Sequence, residues 1–399
     1  MADRQGVEGG ATAAPRVSAF YDPRIRGILV QALLALGLIA FAVWIVTNTI
    51  ENLRRAHIAS GFAFLGNRAG FDISQTLISY SPESTYGRAF LVGLLNTLLV
   101  AAIGIVLASL IGFVLGIARL SKNWLLARIA TVYIETLRNV PVLLQLLFWY
   151  KAVLSVLPGP RQAFVLPLGS NLSNRGLLLP RPVAGPGIGT TGLALLAGIV
   201  LAILFAVFAR RHQLATGRRL PAFWVGLALI VIIPGAAFLA TGSPLGFDYP
   251  VLKGFNFIGG FTVRPEFLAL VLGLSLYTAT YIAEIVRAGI LAVAPGQTEA
   301  AYALGLRPGL TLSRVVIPQA MRVIIPPLTS QYLNLIKNSS LAVAIGYPDL
   351  VSVFAGTVLN QTGQAVEAIS ITMLVYLLIS LVTSLLMNWF NRAVALVER

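Results

Sequence analysis

The chain has 399 residues, 57% of them hydrophobic and only 11% charged, less than half the roughly 25% charge of a soluble domain. Its 29 Lys and Arg exceed its 14 Asp and Glu for a net charge of +15, yet the basic residues lie between long apolar runs and form no separate polar domain. These figures exclude an ordinary soluble enzyme, a disordered chain and a disulfide-stapled secreted fold. The absence of Cys also removes thiolate metal sites and cysteine nucleophiles, so an integral membrane protein remains.

In chain order, the Ala- and Gly-rich start is read as a disordered tail within a polar segment, 1–26. The uncharged run 27–50 is too long for the h-region of a signal peptide, about 7–15 residues, and is read as a retained helix. An external loop, 51–86, follows; it is long enough for a small folded element and carries Phe62, Phe64 and Phe71 among Gly, Asn and Ser. It is either a bare surface loop or a contact for an external partner. Further uncharged runs at 89–118, 189–209, 220–247 and 368–391 each supply the roughly 20 residues that a bilayer core requires. Three more apolar segments, 129–157, 267–293 and 323–345, contain internal charges. The runs are continuously apolar and do not alternate, and lipid cannot satisfy a bare backbone, so the expectation is an all-α membrane protein of about eight helices. Gly- and Pro-rich stretches at 158–189 and 241–260 are read as extended loops. They bracket the pair 189–209 and 220–247, whose spans hold no ionisable residue and read as lipid-facing support. A short tail, 392–399, ends the chain.

Eight spans put both termini on one side. With that side cytoplasmic, the inner segments hold 17 Lys and Arg and the outer segments 10, although the outer segments contain more residues. The positive-inside rule then predicts cytoplasmic termini. Lys151, Arg161, Arg175 and Arg181, all in one outer loop, run against that rule.

The most informative stretch is 295–318. Pro295-Gly296 is expected to break the preceding helix, Thr298 to cap a new one, and Glu299 to sit in its first turn near the positive helix end. Gly305 is expected to stop that helix, 299–304, in a left-handed conformation, and Pro308-Gly309 to turn the chain. A helix of two turns is marginal alone and needs a partner or firm surroundings. Glu299-Ala300-Ala301, then Gly305, Leu306 and finally Val315-Val316-Ile317-Pro318 resemble the EAA loop of ABC importer permeases, with Val315 for Ile and Ile317 for Leu. In that family the loop docks on the ATPase subunit, which implies ATPase coupling for Glu299, Ala300, Ala301, Gly305, Leu306 and Pro318.

Stretches 281–289, 135–145 and 337–346 are similar to the polar amino-acid permeases, the histidine/glutamine/glutamate/arginine/opine group. The resemblance covers about 86–157 and 262–391. It implies a type I importer core of five helices in two parts, 87–157 and 262–391, separated by an insert, 158–261. The layout resembles the larger permeases of general L-amino-acid or glutamate/glutamine/aspartate/asparagine systems. It implies residence in the bacterial inner membrane, two ATPase copies, a second homologous permease or a second copy of this chain, and a periplasmic amino-acid-binding protein. ATP and Mg would belong to the ATPase, and the chain has no G-x-x-x-x-G-K-[ST] loop of its own. An enzymatic role for this chain is not expected, nor a metal, catalytic group or nucleic-acid partner.

Charges at bilayer depth are costly and face a cavity, a partner helix or one another. Glu135 and Arg138, like Glu284 and Arg287, are three positions apart and can neutralise one another on one helix face. Glu135, Arg138, Asn139 and Gln145 are either structural or pathway groups, with Arg138 able to hold an amino-acid carboxylate and Glu135 its ammonium. Glu284 and Arg287 read as a structural ion pair. Asn338, Ser339 and Ser340 either line a pathway or bond back to their own helix. The competing functions are an ion-gradient-driven secondary transporter and a membrane scaffold without transport.

Overall fold

A computed structural model describes residues 23–55 and 61–394; the Ala- and Gly-rich tail expected at the start of 1–26 lies outside the described residues, as does the chain's end after 394. The first helix, α1 (Pro23–Arg55), has no part of its apolar stretch buried and stands in the position of a lipid-facing span. The following loop is folded. Phe64 is buried and packs with tilted rings against Tyr86 and Phe354, and Phe71 joins the same cluster, while Phe62 stays exposed.

Helix α2 (Tyr86–Arg119) starts where the Thr85 side chain accepts from the Arg88 amide at 3.3 Å. It packs along its length on α7 (Pro265–Leu291). Gly104 meets Ser275 and Gly116 meets Ala283 and Val286, so the two helices run in the same direction. Close approach depends on glycine: a Cβ at Gly112 would lie 2.6 Å from Ile282, and one at Gly116 2.7 Å from the Ala283 carbonyl. Small residues that let helix backbones meet are the usual packing device in lipid, where no hydrophobic drive joins helices.

The segment expected as one span at 129–157 is broken. Asn123 caps α3 (Trp124–Arg138), accepting from the amides of Leu125 and Leu126 at 3.0 and 3.2 Å. Pro141 then pushes Val140 out of helical geometry and cannot donate to the Leu137 carbonyl. The chain resumes as α4 (Val142–Leu147) and a π-helical turn, Phe148–Leu154. Leu146 of α4 is buried against Gly273 of α7.

The insert differs from expectation. Both stretches read as loops contain short strands: β1 (Phe164–Leu166), β2 (Ser170–Ser173), β3 (Gly176–Leu179) and β4 (Arg181–Ala184) in the first. The second contains β5 (Leu245–Asp248), β6 (Val251–Lys253) and β7 (Asn256–Ile258), with β8 (Phe261–Val263) just after it. An antiparallel sheet runs β1-β2-β3-β8, and β4 pairs with β5 and β6 with β7. Strands of three or four residues give too little alternation to be read among Gly and Pro. Between β4 and β5 stands a hairpin of α5 (Ile188–Thr216) and α6 (Ala222–Ala240), which pack chiefly on each other. α5 extends through Arg210, Arg211 and His212, beyond the expected end of the span at 209; α6 stops at Ala240, short of the expected 247, because 245–247 join β5.

After α7 come α8 (Pro295–Ala303), α9 (Pro308–Thr311), a π-helical turn Leu312–Val316, and α10 (Ile317–Asn338). α10 runs through Pro326 and Pro327 but ends at Asn338, so the span expected at 323–345 finishes as a 3-10 helix, Ser339–Ile345. A π-helical segment Val351–Val358 and α11 (Leu359–Thr362) lead to α12 (Ala365–Val394). The protein is thus mainly helical. Among the described residues six helices are long and apolar enough to cross a membrane, and the segments at α3–α4 and α10 bring the number to the eight expected. The principal core lies between α2, α4, α7 and α10, with Leu270, Leu274, Ile282, Ile324 and Leu335 buried in it.

Candidate functional site

The loop that carries the EAA-like residues is built of two short helices, α8 and α9, joined at Gly305. Pro295 is the first residue of α8, where its missing N–H costs no hydrogen bond, so the helix starts four residues earlier than expected. Thr298 is therefore not the cap, and Glu299 lies beyond the first turn. The stop is as expected. Gly305 has φ +78°, its amide donates to Tyr302 O at 2.9 Å, and the Leu306 amide donates to Ala301 O at 3.1 Å. This is the Schellman pattern, and no Cβ-bearing residue enters it without strain. Pro308 opens α9 instead of merely turning the chain, for the same reason as Pro295.

Ala301 lies on the buried face of α8, whereas Glu299, Ala300 and Ala303 are exposed, and Leu306 and Pro318 are half-buried. Three large side chains of the loop face outward: Leu304 is 82% exposed, Tyr302 49% and Leu310 48%. Gln319 of α10 fastens the loop, donating to Gln297 Oε1 at 3.2 Å and to the Val315 carbonyl at 3.0 Å. The result is a firmly held element with a bare apolar surface.

A charged network joins the ends of α2, α3 and α7 on the same side. Arg119 Nη1 lies 2.6 Å from Glu284 Oε2, and its Nη2 lies 3.1 Å from Glu135 Oε1. Arg287 donates to Glu284 Oε1 from Nε at 3.0 Å and from Nη2 at 2.5 Å. The expected pair Glu284–Arg287 therefore forms. The expected neutralisation of Glu135 by Arg138 is replaced: Glu135 reaches across to Arg119, and the Arg138 guanidinium lies 5.2 Å from the Tyr281 ring centre. A 2.9 Å contact between the hydroxyls of Tyr277 and Tyr281 extends this aromatic wall. Arg119 was overlooked in the sequence because its partners are distant along the chain, with no helical spacing to announce them.

Gln145 is buried and occupied. Its Nε2 donates to Leu137 O at 2.7 Å and Val140 O at 2.9 Å, replacing donors lost at the Pro141 break. Its Oε1 is buried with no hydrogen-bond partner. Asn139 donates to the Glu135 carbonyl at 2.7 Å. At the far end of α10, Ser339 and Ser340 bond back to Ile336 O and Lys337 O, each at 2.7 Å, beside half-buried Asn338. The sequence therefore supplies two groups, Glu135, Arg138, Asn139 and Gln145 around the α3 break and Asn338, Ser339 and Ser340 at the end of α10, and α4 packs against the 3-10 segment Ser339–Ile345.

One polar cluster lay outside the sequence reading. Asp349 is fully buried and accepts from the amides of Val351 and Ser352 at 3.2 and 2.9 Å, capping the segment that follows. Beside it, Asn96 donates to Pro348 O at 2.9 Å and Thr97 accepts from the Leu350 amide at 3.0 Å. Pro348-Asp349 ahead of an apolar run was the available signal, since Asp favours such caps.

Comparison with known proteins adds the following. The family model for binding-protein-dependent transport system inner membrane components matches residues 214–396. The general L-amino acid transport system permease protein AapQ of Rhizobium johnstonii is 55% identical over 382 residues, 96% of this chain and 95% of its own length. A putative amino-acid ABC transporter permease, YhdX of Escherichia coli, is 54% identical over 96% of this chain and 97% of its own. The glutamate/glutamine/aspartate/asparagine transport system permease BztB of Rhodobacter capsulatus is 45% identical, covering 95% of this chain and 96% of its own.

Proposed function

The chain belongs to the family of inner membrane components of binding-protein-dependent transport systems, as a multi-pass permease of the ABC importer type, and from that premise we propose that it moves L-amino acids inward by alternating access. Both termini lie in the cytoplasm in this reading, which the excess of Lys and Arg on that side supports. A periplasmic binding protein delivers the substrate, and a second homologous permease or a second copy of this chain completes the path. Two ATPase subunits hold ATP and Mg and drive the cycle, leaving this chain without a catalytic role.

The observation that carries the proposal is the loop around α8. A leucine that is 82% exposed at the tip of a stiff, well-anchored turn is costly in water, and covering it is worth about 1.5–3 kcal/mol. The Gly305 stop lets a push on Leu304 pass to α7 and α10 without the turn yielding. Arg138, exposed beside Tyr281 and outside salt-bridge distance of any acid among the described residues, is the residue proposed to meet a substrate carboxylate. Arg119, Glu284 and Arg287 hold the helix ends around it.

The test is mutational. Gly305→Pro and Glu299→Arg are expected to insert normally yet separate ATP hydrolysis from amino-acid uptake in proteoliposomes holding the complete importer. Wild-type uptake by both variants would overturn the role of the loop. Uptake that persists without ATP and follows an imposed ion gradient would favour the secondary transporter instead.

A further inference from the structure

The inserted sheet and the helical core enclose a cavity of about 950 Å³ at the outer end of α7. Its floor includes Leu99 and Ile103, which lie about 20–25 Å along α2 from Tyr86 at 1.5 Å per residue. It is therefore a vestibule reaching well down α2. Three charged residues line it: Arg175 in the turn between β2 and β3, Arg264 between β8 and α7, and Glu266 in the first turn of α7.

The backbone brings the two arginines together. Leu177 is paired with Val263, and a Cβ on Gly176 would lie 3.2 Å from Arg264 Cα. Neither arginine forms a salt bridge within 4.0 Å among the described residues. Glu266 Oε1 accepts from Tyr150 OH at 3.0 Å, and among the described residues its second oxygen has no such donor. Both arginines are exposed, and two neighbouring cations without a salt-bridge partner at the wall of a partly open cavity attract an anion.

We propose that this vestibule is a holding site for a dicarboxylic amino acid on its way into the permease. The inference rests on the import reading and deepens it. Arg264 and Glu266, both on the core, take the α-carboxylate and the ammonium. Arg175, supplied by the insert, takes the second carboxylate. The site's two positive charges and one negative charge match a ligand with two negative charges and one positive. A neutral amino acid satisfies only the core pair, so the insert gives the vestibule its preference for acidic substrates.

Calorimetric titration of the purified complex of permease and ATPase, without the binding protein, tests this with L-glutamate and L-glutamine. Wild type is expected to bind glutamate more tightly. Arg175→Gln is expected to weaken glutamate about ten-fold and leave glutamine within about two-fold, the loss of one charge-assisted contact. Glu266→Gln, which keeps a partner for Tyr150, is expected to weaken both. The site is overturned if Arg175→Gln binds glutamate as wild type does. It is also overturned if wild type binds no glutamate up to about 10 mM. A variant that loses docking of the binding protein while keeping its direct glutamate affinity would make this a protein-docking surface, which also overturns it. Uptake assays on the same complex keep the two readings apart. Intact ATP-driven import without direct glutamate binding removes the site alone, whereas absence of any amino-acid import removes the import reading.

Discussion

Leu137 loses its ordinary helical donor because the residue four positions on is Pro141, and the side chain of Gln145 restores it at 2.7 Å. Gln145→Leu keeps the approximate volume but leaves two carbonyls without that donor. The expected cost is on the order of 1–3 kcal/mol, read as a lower Tm of the detergent-solubilised protein; an unchanged Tm would refute the account. The break at Pro141 has a visible signal, since proline's missing N–H can be seen in any sequence, although 129–157 was expected as one span. Its repair has none, because it depends on where a side chain four residues later turns. Arg119 is the same lesson at greater distance: Glu284 lies 165 positions away and pairs with it only once α2 and α7 are side by side. Pro295 and Pro308 were read as breakers although each starts a helix; proline's pattern is identical in the two roles, and the preceding backbone decides between them.

Among the elements, the long apolar helices were legible because a bilayer requires uninterrupted runs, and the EAA-like loop because its spacing survives conservative changes. The strands of the insert were hidden: β6, β7 and β8 have three residues each, and β8 pairs with β3, far back in the chain, which leaves no local mark. Helix packing also depends on context that composition conceals. Gly112 and Gly192 both lie within apolar helices, yet a Cβ at the first would be 2.6 Å from Ile282 and one at the second would meet nothing within 4 Å. Gly112→Ala is accordingly expected to destabilise the protein by about 1–3 kcal/mol through overpacking. Gly192→Ala should be neutral or raise stability by up to about 1 kcal/mol through helix propensity. Thermal unfolding of the two variants side by side checks the contrast, and equal shifts would contradict the packing described for α2 and α7.

For the molecule as a whole, the α5–α6 hairpin enters and leaves through one narrow base. Ala184 is paired with Leu245, and the Gly185 amide donates to the Pro244 carbonyl at 2.8 Å. Replacing residues 186–243 by Asn-Gly should close β4 and β5 with a two-residue turn. The shortened chain is expected to fold with a Tm within a few degrees of the parent, because the principal core contains none of the removed side chains. Failure to insert, or a loss of many degrees, would show that the hairpin supports the core. The glycine seam between α2 and α7 has a different consequence. Where backbones touch and side chains are missing, there is little soft material to deform, and the seam either moves as one piece or comes apart. Displacement in a working cycle is then expected to concentrate where helices are already interrupted, at Asn139–Pro141 and beyond Asn338, with the two parallel helices as a shaft and the two interruptions as its joints.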